Sequence, residues 1–203
     1  MASVGALRPV GLRRRLPWAL GLTPTSMCMQ AAKREFLIYE LGLLSLKAAL
    51  STRAGGAPIY ARSCKEHQRG ATKDGFRAVL HEVLVNYSSG TVDEEQHVYF
   101  IANTAERFTK RYSKTLHQGR LRFGVAQKLI NMHLKYLWVA GIIDEPIHCP
   151  IDGIVRDLAG LQYDWTSSDS QDEYLTAISH LKRVAASRSL AVWELEEFRR
   201  RAQ

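Results

Sequence analysis

The stretch FGVAQKLINMHLKYLWVA, residues 123–140, decides the fold. Placed on a wheel of about 100° per residue, its apolar side chains and His133 fill an arc of about 220°. One neighbouring element cannot cover an arc that wide, so the spacing predicts a helix enclosed by several others. Gln127, Asn131 and Lys135 follow one another at i, i+4 and i+8 and form a polar strip on the remaining side. That strip is expected to face water or to line a groove. Gly141 supplies the C-terminal stop.

Working outward, Phe36, Tyr39, Leu43, Leu46 and Leu50 recur at helical spacing, and further leucines at 37, 41 and 44 widen their face. A helix over residues 31–51 follows, ended by Gly55 and Gly56. Phe76, Leu80, Val83, Leu84 and Tyr87 mark a second helix over 72–87. Thr91 with Glu94 reads as a capping box for a third, whose stripe runs through Val98, Ile101, Phe108 and Leu116 to a stop at Gly119. After the central helix come short helices over 151–159, from a cap at Ser168 or Asp169 to 186, and from Ser189 onward. Arg199, Arg200 and Arg201 would meet the negative end of the last one favourably. Sustained β alternation is absent. The fold expected is an all-α bundle of five to seven helices, irregularly or orthogonally packed around the helix at 123–140.

Residues 1–30 contain Pro9, Pro17, Pro24 and the triplet Arg13, Arg14, Arg15, with no acidic residue. Prolines so spaced forbid a continuous helix. This part is read as a flexible basic extension or an organelle presequence, leaving 31–203 as a single helical domain. Three unevenly spaced cysteines, Cys28, Cys64 and Cys149, suit a reducing compartment rather than a disulfide scaffold. The location expected is cytoplasmic, with organellar import as the alternative. No apolar run has the length of a membrane span.

The net charge of +8 is unevenly spread. Residues 91–140 carry eight basic and four acidic groups, whereas residues 141–203 carry seven basic and eleven acidic ones. Arg107, Lys110, Arg111 and Lys114 lie at i, i+3, i+4 and i+7, and Arg120 and Arg122 follow. A partner bearing phosphates would relieve their mutual repulsion, so nucleic acid or another polyanion is one expected partner.

Two other function classes stand beside that one. In one respect, the Arg-x5-His spacing of Arg111 and His117, the chain looks like helical nuclease and toxin-like domains, which would imply metal-independent ribonuclease chemistry. Arg62 and His67 fit as well, chance alone supplies such pairs, and no family is assigned. An ideal helix would hold Arg111 and His117 about 120° apart, so they share a surface only if the helix ends between them. His133, on the apolar arc, is a second candidate acid–base group. Cys149 is a third candidate: Pro150 favours a first helical position, where backbone N–H groups stabilise a thiolate beside His148. Cys64 and His67 have a zinc half-site spacing that His148 and Cys149 would have to complete, and no metal site is assigned. No cofactor motif is present. The last class is a scaffold or partner-binding protein, potentially a homo-oligomer, with the helix near 36–50 as its surface.

Overall fold

Seven α-helices follow one another in the computed structural model, which describes residues 24–51, 56–90 and 92–198. They are α1 (Pro24–Leu50), α2 (Gly70–Ser88), α3 (Glu94–Tyr112), α4 (Phe123–Val139), α5 (Gly153–Ala159), α6 (Gln171–Ala185) and α7 (Leu190–Glu197). Short 3-10 turns, Glu66–Arg69 and His117–Gly119, precede α2 and follow α3. An isolated antiparallel bridge between Tyr60 and Leu116 is the only extended pairing among the described residues. The protein is an all-α bundle. No helix among the described residues is long and apolar enough to cross a membrane.

Two units are distinguished, Met1–Phe36 and Leu37–Gln203. α1 begins at Pro24, seven residues before the expected start, because proline at a first helical position leaves no extra N–H to satisfy. The Arg13–Arg15 and Arg199–Arg201 triplets, Thr91 and the Gly55 stop lie outside the described residues.

The second unit is organised by α4. Every residue from Phe123 to Leu134 is buried, so the helix is enclosed all round for three turns rather than over part of its circumference. It packs chiefly against α3 and α2. Leu129, Ile130, Leu134 and Leu137 meet a core that includes Phe76 and Phe108, whose rings stack at 4.2 Å. Each such fully buried side chain contributes about 1.5–3 kcal/mol.

A distant loop caps the start of α4. Arg122 gives no side-chain cap; instead Phe123 N–H donates to Asp169 Oδ1 at 3.0 Å and Gly124 N–H to Ser168 O at 3.0 Å. Gly124 is required there, since a Cβ would stand 2.3 Å from the Trp165 carbonyl oxygen. At the other end Gly141 takes φ +68°, and the Gly141 and Ile142 N–H groups close back on Trp138 O and Leu137 O.

Other boundaries differ from the periodicity for local reasons. α3 is capped by Asp93, which accepts from Gln96 N–H at 2.8 Å, and it ends at Tyr112 instead of continuing to Gly119. α5 starts at Gly153 rather than 151 because Asp152 accepts from Ile154 and Val155 N–H and so fixes the cap. Ser170, not Ser168 or Asp169, caps α6, and Ser189 caps α7.

Candidate functional site: a buried polar network and an apolar groove

The strip Gln127–Asn131–Lys135 points inward, which corrects the expectation that it faces water or lines a groove. Gln127 and Asn131 are each 0 % exposed. The Gln127 amide behaves as a missing piece of backbone: Nε2 donates to Ile151 O at 2.8 Å, and Oε1 accepts from Ile151 N–H at 3.2 Å. Both Ile151 groups would otherwise be orphaned in the core, because the residue lies just before α5 and belongs to no helix. Asn131 Nδ2 then donates to Gln127 Oε1 and to Tyr174 Oη.

The direction of the remaining bonds follows from charge. Glu94 is held as a carboxylate by Lys182, whose ammonium donates to both oxygens at 2.7–2.8 Å. A carboxylate only accepts, so His148 Nε2, 2.9 Å away, carries the proton. In the neutral ring Nδ1 is then an acceptor, and Tyr174 O–H donates to it at 2.8 Å. Protons are thus aligned from Asn131 through Tyr174 and His148 to Glu94. Beside them Tyr87 Oη lies 2.6 Å from His97 Nδ1, and the His97 and His148 rings meet edge to face.

This network ties α3, α4, α6 and the 148–151 segment together. His148 and Tyr174 are completely buried, while Glu94 and Lys182 reach the surface. Lys182 and Tyr87 also line a cleft of about 480 Å³ with Asp144, Glu145 and Arg188. Ala186, at φ +58°, sits on its wall.

Lys135 completes the strip with a buried ion pair. Its ammonium lies 2.7 Å from the Glu194 carboxylate and over the Phe198 ring. Burial pushes the Glu194 carboxyl up, against the pull of Lys135. Cys149 lies wholly inside the protein. Burial, and then the field of Glu194, push its thiol up, so Cys149 is held protonated. It also stands three residues ahead of the Asp152 cap, not at a helix N-terminus as the Pro150 position suggested.

The remaining predicted residues are scattered. His133 lines an apolar groove between α1 and α2, a place that His148 and Cys149 do not share. α3 does end between Arg111 and His117, yet Arg111 is exposed beside the Tyr112 ring, while His117 donates its backbone N–H to Ile59 O. The basic stretch is partly spent within the fold. Arg107 pairs with Glu82 of α2, Lys110 with Glu106 and Arg120 with Asp169. Arg122 is buried and donates to the Ala57 and Pro58 carbonyls. Arg111 and Lys114 are exposed and make no ion pair with a described residue. Cys64 is buried and His67 exposed. Among the described residues no group of three or more His, Cys, Asp or Glu side chains is arranged to hold a metal.

The groove is the feature that periodicity missed. It is lined by Ile38, Tyr39, Leu43, Leu80, Leu84 and His133 among others, and encloses about 150 Å³. Ser45, fully buried on α1, lies 3.0 Å from His133 Nδ1. Burial pushes His133 down to about 4; burial and then the neighbouring His148 push His97 down to about 3.

Those two histidines predict an acid-sensitive fold. Below about pH 6.5 an unfolded chain protonates histidines that the folded chain keeps neutral. Their stability is therefore complete above about 6.5 and is lost as pH falls toward the folded values. Urea unfolding is expected to lose about 2 kcal/mol for each of the two between pH 7 and 5, the slope approaching about 1.4 kcal/mol per pH unit only below about pH 6. A flat profile over that window would show that neither ring is buried neutral.

Comparison with family models, curated proteins and solved structures finds no match to this chain.

Proposed function

We propose that the chain is a self-associating scaffold protein in which two copies join through α1. The observation that carries this reading is the surface of α1 within the second unit. Leu37, Tyr39, Leu43 and Leu44 are exposed there, at 40, 58, 36 and 50 %, beside the open apolar groove. A helix that buried its apolar face within one chain would not present large side chains on its outer side as well. Apolar surface rimmed by polar groups is the usual mark of an interface, and Glu40 and Lys47 supply that rim. The exposed α1 side chains adjoin the groove that α1 forms with α2 and His133 of α4, so one patch carries both ridge and groove, the self-complementarity that a two-fold interface requires.

The chemistry of the buried network supports the same reading. His148 and Tyr174 have the hydrogen bonds of an acid–base relay but no access to a substrate. Their role in this reading is to hold the α4 scaffold rigid behind the interface.

Light scattering on the full chain is expected to give twice the 22.9 kDa chain mass. Leu43→Glu places a charge in the ridge and is expected to raise the dimer Kd about thirtyfold or more, the size of a strong interface residue. A monomer at every concentration, or an unchanged mass in Leu43→Glu, would overturn the reading.

A further inference from the structure

The groove contains one polar atom whose state can be deduced. Ser45 has a single hydroxyl proton and gives it to Leu41 O at 2.7 Å. Toward His133 Nδ1, at 3.0 Å, it is therefore the acceptor, and the imidazole proton sits on Nδ1. Nε2 of the neutral ring is then a bare acceptor. It takes no hydrogen bond from a described residue, although the side chain is 1 % exposed and the ring lines the groove.

Apart from the exposed Arg77 and His81 on its α2 side, the pocket is apolar, and with one buried acceptor it selects an apolar group that carries one donor. A purely hydrocarbon occupant would leave Nε2 desolvated and unpaired, which is costly. A volume near 150 Å³ is about that of a cavity that accommodates a benzene ring. The matching group is a phenol, the side chain of tyrosine.

We propose that this pocket receives Tyr39 of a second copy, its ring in the groove and its hydroxyl donating to His133 Nε2. The inference rests on the self-association through α1 argued above. Tyr39 stands exposed on the lip of the groove, and its hydroxyl has no hydrogen bond to a described residue. Charge complementarity favours a second copy as the source. Glu40 and Lys47 make no ion pair with a described residue. An antiparallel pairing of two α1 helices about a two-fold axis between Leu43 and Leu44 sets each Glu40 opposite the other copy's Lys47. The same pairing brings each Tyr39 opposite Ala48, at the Leu46 end of the other copy's groove.

Sedimentation equilibrium on the full chain tests this. Tyr39→Phe keeps the ring and removes the donor; it is expected to raise the dimer Kd about tenfold, the worth of one hydrogen bond. His133→Leu is expected to raise it similarly, and adding Tyr39→Phe to His133→Leu should change nothing further. An independent measurement covers the case in which His133→Leu does not fold. p-Cresol should weaken the wild-type dimer several-fold more than toluene at equal concentration. A dimer indifferent to Tyr39→Phe, two substitutions whose effects simply add, or equal competition by toluene would overturn the Tyr39 contact and leave the α1 dimer standing. A wild-type monomer would overturn the dimer, and with it the assignment of the phenol to a second copy, even if p-cresol bound.

Discussion

Gln127→Leu is expected to destabilise the fold by about 3–5 kcal/mol, although it replaces a polar residue by an apolar one at a fully buried position. Leucine matches the volume and gains in transfer energy, but it cannot pair with the Ile151 N–H and C=O groups. Both sit in the core, and each buried backbone group left unpaired costs about 1–3 kcal/mol. Asn131 loses its Gln127 acceptor in the same step and keeps Tyr174. For a chain of this length the loss corresponds to a fall in Tm of roughly 10 °C, measurable by calorimetry or by circular dichroism. A change below about 1 kcal/mol would mean that water or a shifted backbone replaces the amide, and that the network is no clamp.

Lys135→Met is expected to cost a similar 3–5 kcal/mol at pH 8, the usual result of leaving a buried charge without its partner. Glu194 is 3 % exposed, and its carboxyl is already pushed up by burial with Lys135 pulling it down. Without the lysine the folded-state value rises further. A carboxyl raised in the fold destabilises the protein as pH climbs above its unfolded value, so the deficit in Lys135→Met should shrink between pH 8 and 5. The double variant Lys135→Met/Glu194→Leu removes both charges and is expected to recover most of the loss. Urea unfolding of the three proteins at both pH values decides the matter; a double variant no better than Lys135→Met would show that the pair is held by packing and not by charge.

Both predictions concern side chains whose position in α4 was plain and whose surroundings were not. Gln127, Asn131 and Lys135 at i, i+4 and i+8 share one face of any helix, and that much is local geometry. Whether the face meets water or other polar groups depends on Ile151, Tyr174 and Glu194, which arrive from 24, 43 and 59 residues away. The same holds for the basic stretch. Arg107 and Lys110 stand together on α3 by spacing alone, but Glu82 and Asp169, which pair with Arg107 and Arg120, come from α2 and from the loop before α6. His133 was visible as an imidazole on an apolar arc. Its tautomer, and so the character of the groove, required Ser45 and Leu41 of α1.

By itself the sequence determined the helices and the centrality of α4. Both follow from apolar side chains at a spacing of 3.6 residues, a property of a chain segment that needs no partner. It also determined which residues are acidic, basic or acid–base active. Only the tertiary structure decided that the polar strip is a clamp, that Cys149 is closed off, and that an acceptor lies in an open groove beside an exposed tyrosine. The physical reason is that burial changes the meaning of a polar group: in water it is satisfied anywhere, whereas in a core it is defined by the few atoms that reach it.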